Sequence, residues 1–487
     1  MSNPIRKLAG QTAIYGLPSI VGRLLNYLLV PLHTHYFAQT SDYGVVSELY
    51  AWVAFLIVLL TFGMETAFFR FLQNENDREK AYANAFWSVI AVNAVFYLTL
   101  LYFNNDIARL LLFEGHNEYV VLLGSIVMVD AITALPLAKL RAEERALKFA
   151  GIQLTSIGIN IALNVISMVF FFSQDRPEEG ILFILLANLA ASLIKPVLLY
   201  SSFFNVPFRI DWTLIKRMWV YAFPLVIAGF AGIINETFDR ILLKHLLYDP
   251  SVPDSLVYAE SQVGIYSACY KLAMLVTIIL QAYRYAAEPF FFNQLKNQDR
   301  NTIYVKVMNL FVAMVCAVFL AVSLNVDFLK HFIQKEAYWE GLKVVPILLL
   351  ANVFLGIYYN QSIWYKLSGK TQYGAYITII GALLTIAINV YYIPKYQYMA
   401  SAWATFVVYG VQMFISYFLG QRYYPIPYNI KKFFLYFGLA IALYFVGALI
   451  HFEKGIVNFF LHNLILLAYI GFVFGLEKNS LNASNAH

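Results

Sequence analysis

Ala150–Ser173 reads AGIQLTSIGINIALNVISMVFFFS, and Tyr373–Ile393 reads YGAYITIIGALLTIAINVYYI. Neither stretch contains a charged side chain. About twenty such residues, rising ~1.5 Å each, cross the hydrocarbon core of a bilayer, so both stretches are predicted to be transmembrane helices. A shift of 225 lays one on the other: Asn164-Val165 falls on Asn389-Val390, Arg145 on Lys370 and Arg141 on Lys366. In the first stretch Gln153, Ser156, Asn160, Asn164 and Ser167 return to one side, because steps of three and four keep to one helix face. Their counterparts Thr378, Gly381, Thr385, Asn389 and Tyr392 keep that side largely polar. A lipid-facing helix has no use for such a stripe. It either lines a hydrated path or hydrogen-bonds one helix to another.

Working outward, the remaining chain has the same character. Its 487 residues are 61% hydrophobic, 17% aromatic and 13% charged, about half the ~25% charge of an ordinary soluble domain. This composition excludes a disordered chain, a basic nucleic-acid binder and a soluble enzyme with one anchor. The apolar runs are about twenty residues long instead of alternating over ten, which favours helices over an outer-membrane barrel. Fourteen helices are predicted, over 11–37, 43–66, 82–103, 118–138, 150–173, 180–204, 216–240, 262–288, 303–324, 342–365, 373–393, 398–420, 430–450 and 456–476. The expected fold is an all-α polytopic membrane protein. Cys269 and Cys316 both lie in apolar runs and build neither a disulfide framework nor a Cys-based metal site.

With the amino terminus inside, 22 of the 34 Lys and Arg residues fall on inner loops and termini and nine on outer loops; Arg23, Lys195 and Lys271 lie within spans. This asymmetry predicts cytoplasmic amino and carboxyl termini and makes the net charge of +6 an orientation signal. The first segment follows Arg6 and Lys7 as a signal peptide would. It is too long for one, contains Arg23 and lacks a small-residue cleavage site, so it is expected to be retained.

A second repeat signal brackets the halves. Gly16-Leu17-Pro18 leads to Tyr43-Gly44-Val45, and Ala222-Phe223-Pro224 leads to Val263-Gly264-Ile265, with 14 more residues in the second interval. The polar stretch from Tyr248 to Ser261 absorbs them. The expected organisation is two pseudo-repeated six-helix lobes, 1–204 and 217–420, joined by a cytoplasmic linker at 205–216 and followed by two extra helices and a tail at 421–487.

The first predicted helix carries Thr12, Gly16, Ser19, Arg23, Asn26 and His33 on one face. An arginine near the bilayer centre costs about 2.5–3.5 kcal/mol on insertion scales. It serves either as a cation for phosphate oxygens in a hydrated cavity or as half of an internal ion pair with Glu48, Glu65, Glu236 or Asp239. On the eighth predicted helix Tyr270, Thr277, Gln281, Arg284 and Glu288 share a face with Lys271 beside it. Arg284 and Glu288 either pair at i,i+4 or snorkel. Lys195 sits beside Pro196, Asp239-Arg240 reads as a local pair or a gate, and Asp130 and Glu65 are open as proton carriers or hydrogen-bonded groups. Enzyme motifs do not appear. Ser368-Gly369-Lys370-Thr371 has Trp364 where a phosphate-binding loop needs glycine, and His33 and His35 point in nearly opposite directions. No cofactor is expected.

Tyr43-Gly44, Gly63-Met64-Glu65-Thr66-Ala67-Phe68-Phe69-Arg70, Phe238-Asp239-Arg240, Val263-Gly264-Ile265-Tyr266-Ser267-Ala268, and Asn389-Val390 with Pro394 and Ala400-Ser401-Ala402-Trp403-Ala404-Thr405 together resemble the polysaccharide flippases. These are the bacterial O-antigen and capsule repeat-unit transporters of the multidrug/oligosaccharidyl-lipid/polysaccharide exporter superfamily. The resemblance spans nearly the whole chain. It implies a V-shaped pair of lobes in the bacterial inner membrane, moving an undecaprenyl-diphosphate-linked oligosaccharide to the outer leaflet by alternating access. It further implies Arg23, Lys271, Lys195 and Arg284 as diphosphate ligands, and Ser19, Asn26, Asn160, Asn164, Gln281, Thr385 and Asn389 as polar cavity lining. Asp130, Glu65, Asp239, Arg240 and Glu288 become candidates for coupling or gating, with a proton or sodium ion as the coupling species. The last two helices would offer a groove to the lipid tail, and a polysaccharide polymerase or glycosyltransferases would be partners. Nucleic acid would not. Alternative readings are a drug or peptidoglycan-precursor exporter of the same superfamily, or a membrane glycosyltransferase or polymerase. The first helix lacks the acidic residue that cation-coupled drug antiporters often place there, and no outer loop is predicted to exceed the 21 residues of 241–261.

Overall fold

The computed structural model describes residues 20–22, 24–25, 27–73, 77–294, 298–450, 452 and 455–485. Among these there is no strand. The described part of 20–36 is helical and is called α1. Thirteen further helices among the described residues are long and apolar enough to cross a membrane. They are α2 Thr40–Leu72, α3 Lys80–Tyr102, α4 Asn117–Ala142, α5 Ala146–Phe170, α6 Pro177–Leu198, α7 Trp212–Leu247, α8 Ser255–Arg284, α9 Arg300–Leu324, α10 Glu336–Leu367, α11 Gln372–Tyr396, α12 Tyr398–Tyr423, α13 Ile430–Ala448 and α14 Gly455–Lys478. These correspond one to one with the second to fourteenth helices read from the sequence.

The ends of α7 and α8 depart from that reading. Both helices continue into what the sequence suggested was a 21-residue outer loop, leaving only Tyr248–Asp254 between them. The charges at Asp239, Arg240, Lys244 and Glu260 look like loop residues in a linear chain. In the fold they have partners, so the helices carry them without exposing them.

By contacts the chain forms two compact units, Met1–Gly264 and Ile265–His487, with the division inside α8. Within the first unit α3 packs on α4, α4 on α6 and α5 on α6, while α2 packs on α4 and α7. Within the second unit α9 packs on α10, α10 on α12 and α11 on α12, and α9 also meets α13 and α14. The pairs α3/α4, α4/α6 and α5/α6 thus recur six helices later, so the repeat is present in packing as well as in sequence. Hydrophobic burial does not drive association between helices already in lipid, and close packing through small residues must do it instead. The interior of the first unit shows this: Ala67, Ala81, Ala85, Ala138 and Ala222 are buried together with Met64, Phe68 and Met218.

Two glycines set the closest approach. A Cβ placed on Gly44 would lie 1.9 Å from the carbonyl oxygen of Glu260, and one on Gly264 would lie 1.9 Å from that of Thr40. In each case the glycine meets the carbonyl four residues before the other glycine, so the contact is symmetric under the repeat that relates Tyr43-Gly44-Val45 to Val263-Gly264-Ile265. Further along α2, Phe62 and Gly63 take φ of 30° and 71° and break the helix, and Gly63 packs against Ala222 of α7. This break re-aims the last turns of α2, Met64–Leu72.

Candidate functional site

The polar stripe of α5 and its counterpart on α11 are each centred on a buried asparagine. In the first unit the Asn164 amide donates to the Asn160 carbonyl at 2.8 Å, and its Oδ1 lies 3.1 Å from His33 Nε2 of α1. Ser156, one turn below Asn160, donates to the Ala191 carbonyl of α6 at 2.6 Å. In the second unit the Asn389 amide donates to the Thr385 carbonyl at 2.8 Å, and its Oδ1 accepts from the Ser401 hydroxyl of α12 at 2.9 Å. Asn164, Thr385 and Asn389 are buried, whereas Asn160 is half-buried. Each asparagine therefore ties its own helix to a neighbour while leaving half-buried polar positions beside it.

The charged candidates separate into pairs. Lys195 of α6 reaches Asp130 of α4 at 2.8 Å, in a partly buried setting. Arg141 of α4 pairs with Glu65 of α2. Asp239 and Arg240 pair with each other at 3.0 Å while both are buried, and Arg240 also donates to the Glu236 carbonyl at 3.1 Å. On α8, Lys271 and Gln281 are half-buried, and the Gln281 Oε1 has no hydrogen-bond partner among the described residues. Arg284 is exposed and lies 5.3 Å from the centre of the Tyr359 ring. It borders a small pocket of about 20 Å³ with Tyr283, Asn360 and Lys366. Ser19, Arg23, Asn26 and the side chain of Glu288 lie outside the described residues.

Sequence reasoning missed the most enclosed charge. Lys244 of α7 has no exposed side-chain surface; its Nζ lies 2.9 Å from Glu48 of α2 and 3.2 Å from Glu260 of α8. The same ammonium donates to the carbonyls of Leu111 and Leu112 at 3.3 Å and sits 3.7 Å from the centre of the Phe113 ring. Five groups from three helices and one loop thus converge on one cation, which satisfies the requirement that a buried charge be paired and hydrogen-bonded. The signal available in the sequence was register: Glu48 and Glu260 stand four residues either side of the repeated glycines, and Lys244 stands four after Arg240. Of the carboxylates considered as partners for Arg23, Glu48, Glu65 and Asp239 already have other basic partners.

The profile of the family described as Polysaccharide biosynthesis protein matches residues 8–295. The "Lsg locus putative protein 1" of Haemophilus influenzae is 19% identical over 294 residues, spanning 60% of this chain and 68% of that protein. An "uncharacterized membrane protein" of the same species is 22% identical over 265 residues, covering 52% of this chain and 62% of its own. Among solved structures, the lipid II flippase MurJ in an inward closed conformation superposes with a TM-score of 0.72 at 14% identity, over 96% of this chain and 99% of that one. An inward-facing multidrug resistance MATE family transporter of the MOP superfamily superposes with a TM-score of 0.60 at 14% identity, over 87% and 94%. At such identities these likenesses establish a shared helical fold with pseudo-repeats.

Proposed function

The chain belongs to the Polysaccharide biosynthesis protein family, and from that premise we propose that it is a flippase for a lipid-linked oligosaccharide. The cargo is an undecaprenyl-diphosphate-linked repeat unit, carried from the inner to the outer leaflet of the bacterial inner membrane for surface polysaccharide assembly. The observation that carries this reading is a polysaccharide-family sequence on the helical frame shared by a lipid-precursor flippase and multidrug transporters. Both termini face the cytoplasm in this proposal, and the lobes 1–204 and 217–420 alternate access to the cargo, with a proton or sodium ion as the coupling species.

The chemistry asks for cations and neutral hydrogen-bonding groups in different places. A diphosphate entering a low-dielectric site needs opposite charge; at an effective dielectric near 20, a unit pair at about 4 Å interacts by roughly 4 kcal/mol before desolvation. Arg23 and Lys271 take this role, with Lys195 and Arg284 as further contributors. Sugar hydroxyls need donors and acceptors, which Asn160, Gln281 and the neighbours of Asn164 and Asn389 supply.

The test is surface-glycan display in cells carrying correctly inserted variants. Arg23→Ala is expected to abolish display, and Arg23→Lys to restore part of it, because charge returns without the two-pronged guanidinium geometry. Lys271→Ala should weaken display in the same direction. Full display with Arg23→Ala would remove Arg23 from the cargo site. If the chain instead exported cationic drugs, deleting that positive charge would leave drug efflux unchanged or improve it, and no glycan phenotype would appear.

A further inference from the structure

One concavity in the first unit, of about 820 Å³, is lined by Arg70 and Phe71 at the end of α2 and by Lys216, Arg217, Val220 and Tyr221 in the first turns of α7. The charge bookkeeping around it leaves a surplus. Arg217 is held by Asp77 through two contacts, at 3.3 Å and 2.6 Å. The other described carboxylate nearby, Asp211, pairs with Lys80 at 3.3 Å and caps α7 by accepting from the Leu214 N–H at 3.1 Å. That N–H, with Lys80 beside it, holds the Asp211 carboxyl below the usual carboxylate range, so it stays ionised and engaged. Arg70 and Lys216 are both exposed, and among the described residues neither has a carboxylate partner.

The opposite wall is apolar. The Arg217 guanidinium lies 5.1 Å from the centre of the Phe71 ring, and Phe71 meets Tyr221 edge-on at 6.2 Å. On the same helix Trp219, Val220 and Phe223 are 46%, 68% and 66% exposed. Tryptophan and tyrosine at the end of a span favour the level of lipid headgroups, where one end of the ring is wet and the other apolar. Two uncompensated cations beside an exposed apolar helix face suit a ligand that is anionic at one end and greasy at the other. An inorganic anion would use the first feature and ignore the second.

We infer that the Arg70–Lys216–Arg217 groove binds the phosphate of a membrane amphiphile. Guanidinium supplies planar, two-pronged donation to phosphate oxygens and ammonium supplies a mobile point charge. Phosphate-bearing headgroups come from two sources here: anionic phospholipid and a polyprenyl diphosphate. Only the second source rests on the flippase reading above.

The experiment is native mass spectrometry of the full chain in detergent, with phosphatidylglycerol, phosphatidylcholine and undecaprenyl diphosphate offered separately. The two anionic lipids should be retained in preference to phosphatidylcholine. In the double variant Arg70→Gln/Lys216→Gln their retention should fall by about tenfold or more, since each charged hydrogen bond lost is worth on the order of a factor of ten. Retention of undecaprenyl diphosphate above phosphatidylglycerol identifies a docking point for cargo, and equal retention identifies a headgroup site; both outcomes support the inference. Anionic retention that is unchanged in the variant, or no greater than that of phosphatidylcholine, overturns it. A second measurement needs no variant: acylation of Lys216 by an amine-reactive reagent should slow several-fold when phosphatidylglycerol is added and not when phosphatidylcholine is, and an unslowed rate also overturns the inference. The Arg23 display assay decides the flippase reading separately, so either can fail alone.

Discussion

In the first unit Asn164 lies against His33, and in the second Asn389 lies against Ser401, at equivalent places on α5 and α11. Around these matched nodes the electrostatics diverge. The first unit threads charge through its interior: Lys244 between Glu48 and Glu260, Lys195 on Asp130, Arg141 on Glu65, Asp239 on Arg240. The second unit joins its repeated helices through neutral and aromatic groups, with Trp364 donating to Ser416, Asn360 to the Tyr283 hydroxyl and Tyr373 to Tyr423. Its Lys432–Glu477 pair ties α13 to α14, beyond the repeat. Even the matched cations differ: Arg145 faces Glu143 at 3.6 Å, whereas Lys370 lies 3.9 Å from the centre of the Tyr423 ring. A neutral node works in either copy because its partners are supplied by adjacent turns and helices. A buried ion pair works only where both members are present, so the two copies should respond differently to single substitutions.

The sharpest way to break the comparison is Lys244→Met. It leaves Glu48 and Glu260 facing one another without their cation and should destabilise the first unit by about 3–5 kcal/mol. The readout is thermal unfolding of the purified chain, with Glu48→Gln added to Lys244→Met expected to recover part of the loss. An unchanged melt would mean that the triad is incidental. Next in size, Lys195→Met should cost about 1–3 kcal/mol, with a double-mutant cycle against Asp130→Asn giving a coupling of the same order. A coupling near zero would return both residues to independent roles.

The neutral nodes sharpen the comparison from the other side. Asn164→Ala and Asn389→Ala should each cost about 0.5–2 kcal/mol and agree with one another within roughly half a kcal/mol, as expected for helix-to-helix hydrogen bonds in membrane bundles. Unequal losses would show that the nodes match in geometry and not in strength. The smallest expected effect belongs to Asp211. Its folded-state value is lowered, so its contribution is present above the ordinary carboxylate range and lost as pH falls through the folded value. Asp211→Asn keeps a cap on α7 and removes that charge, so the acid limb of the melting temperature against pH should flatten slightly. An identical acid limb in both proteins would count against the assignment.

Much of the frame was legible in the sequence because a membrane span is specified locally: length and absence of charge suffice for α2 to α14. The repeat was legible because Asn-Val recurs at a fixed shift. The charge partners were not. Glu65 and Arg141 stand 76 residues apart, Asp130 and Lys195 65, and nothing in a linear chain says which acid will face which base. The ends of α7 and α8 were misread for the same reason, since Lys244 and Glu260 count as loop charges until each is known to neutralise the other. His33 was placed on the polar face of the first helix, but its meeting with Asn164 depends on how α1 and α5 cross. Arg70 and Lys216 were read only as markers of orientation, because a surplus of charge can be recognised only after the paired acids have been subtracted.

The reciprocal crossing of Gly44 and Gly264 has a consequence for how such a chain can change over generations. Each glycine is opposed by the backbone of the other helix, at Glu260 and Thr40, and backbone atoms are common to every amino acid. A larger residue at one glycine therefore cannot be accommodated by trimming a side chain on the other strand of the crossing, as a swollen core position often can. No second-site suppressor exists within the contact, and drift that freely rewrites the charges of one half and the aromatics of the other should leave these two positions standing as fixed points.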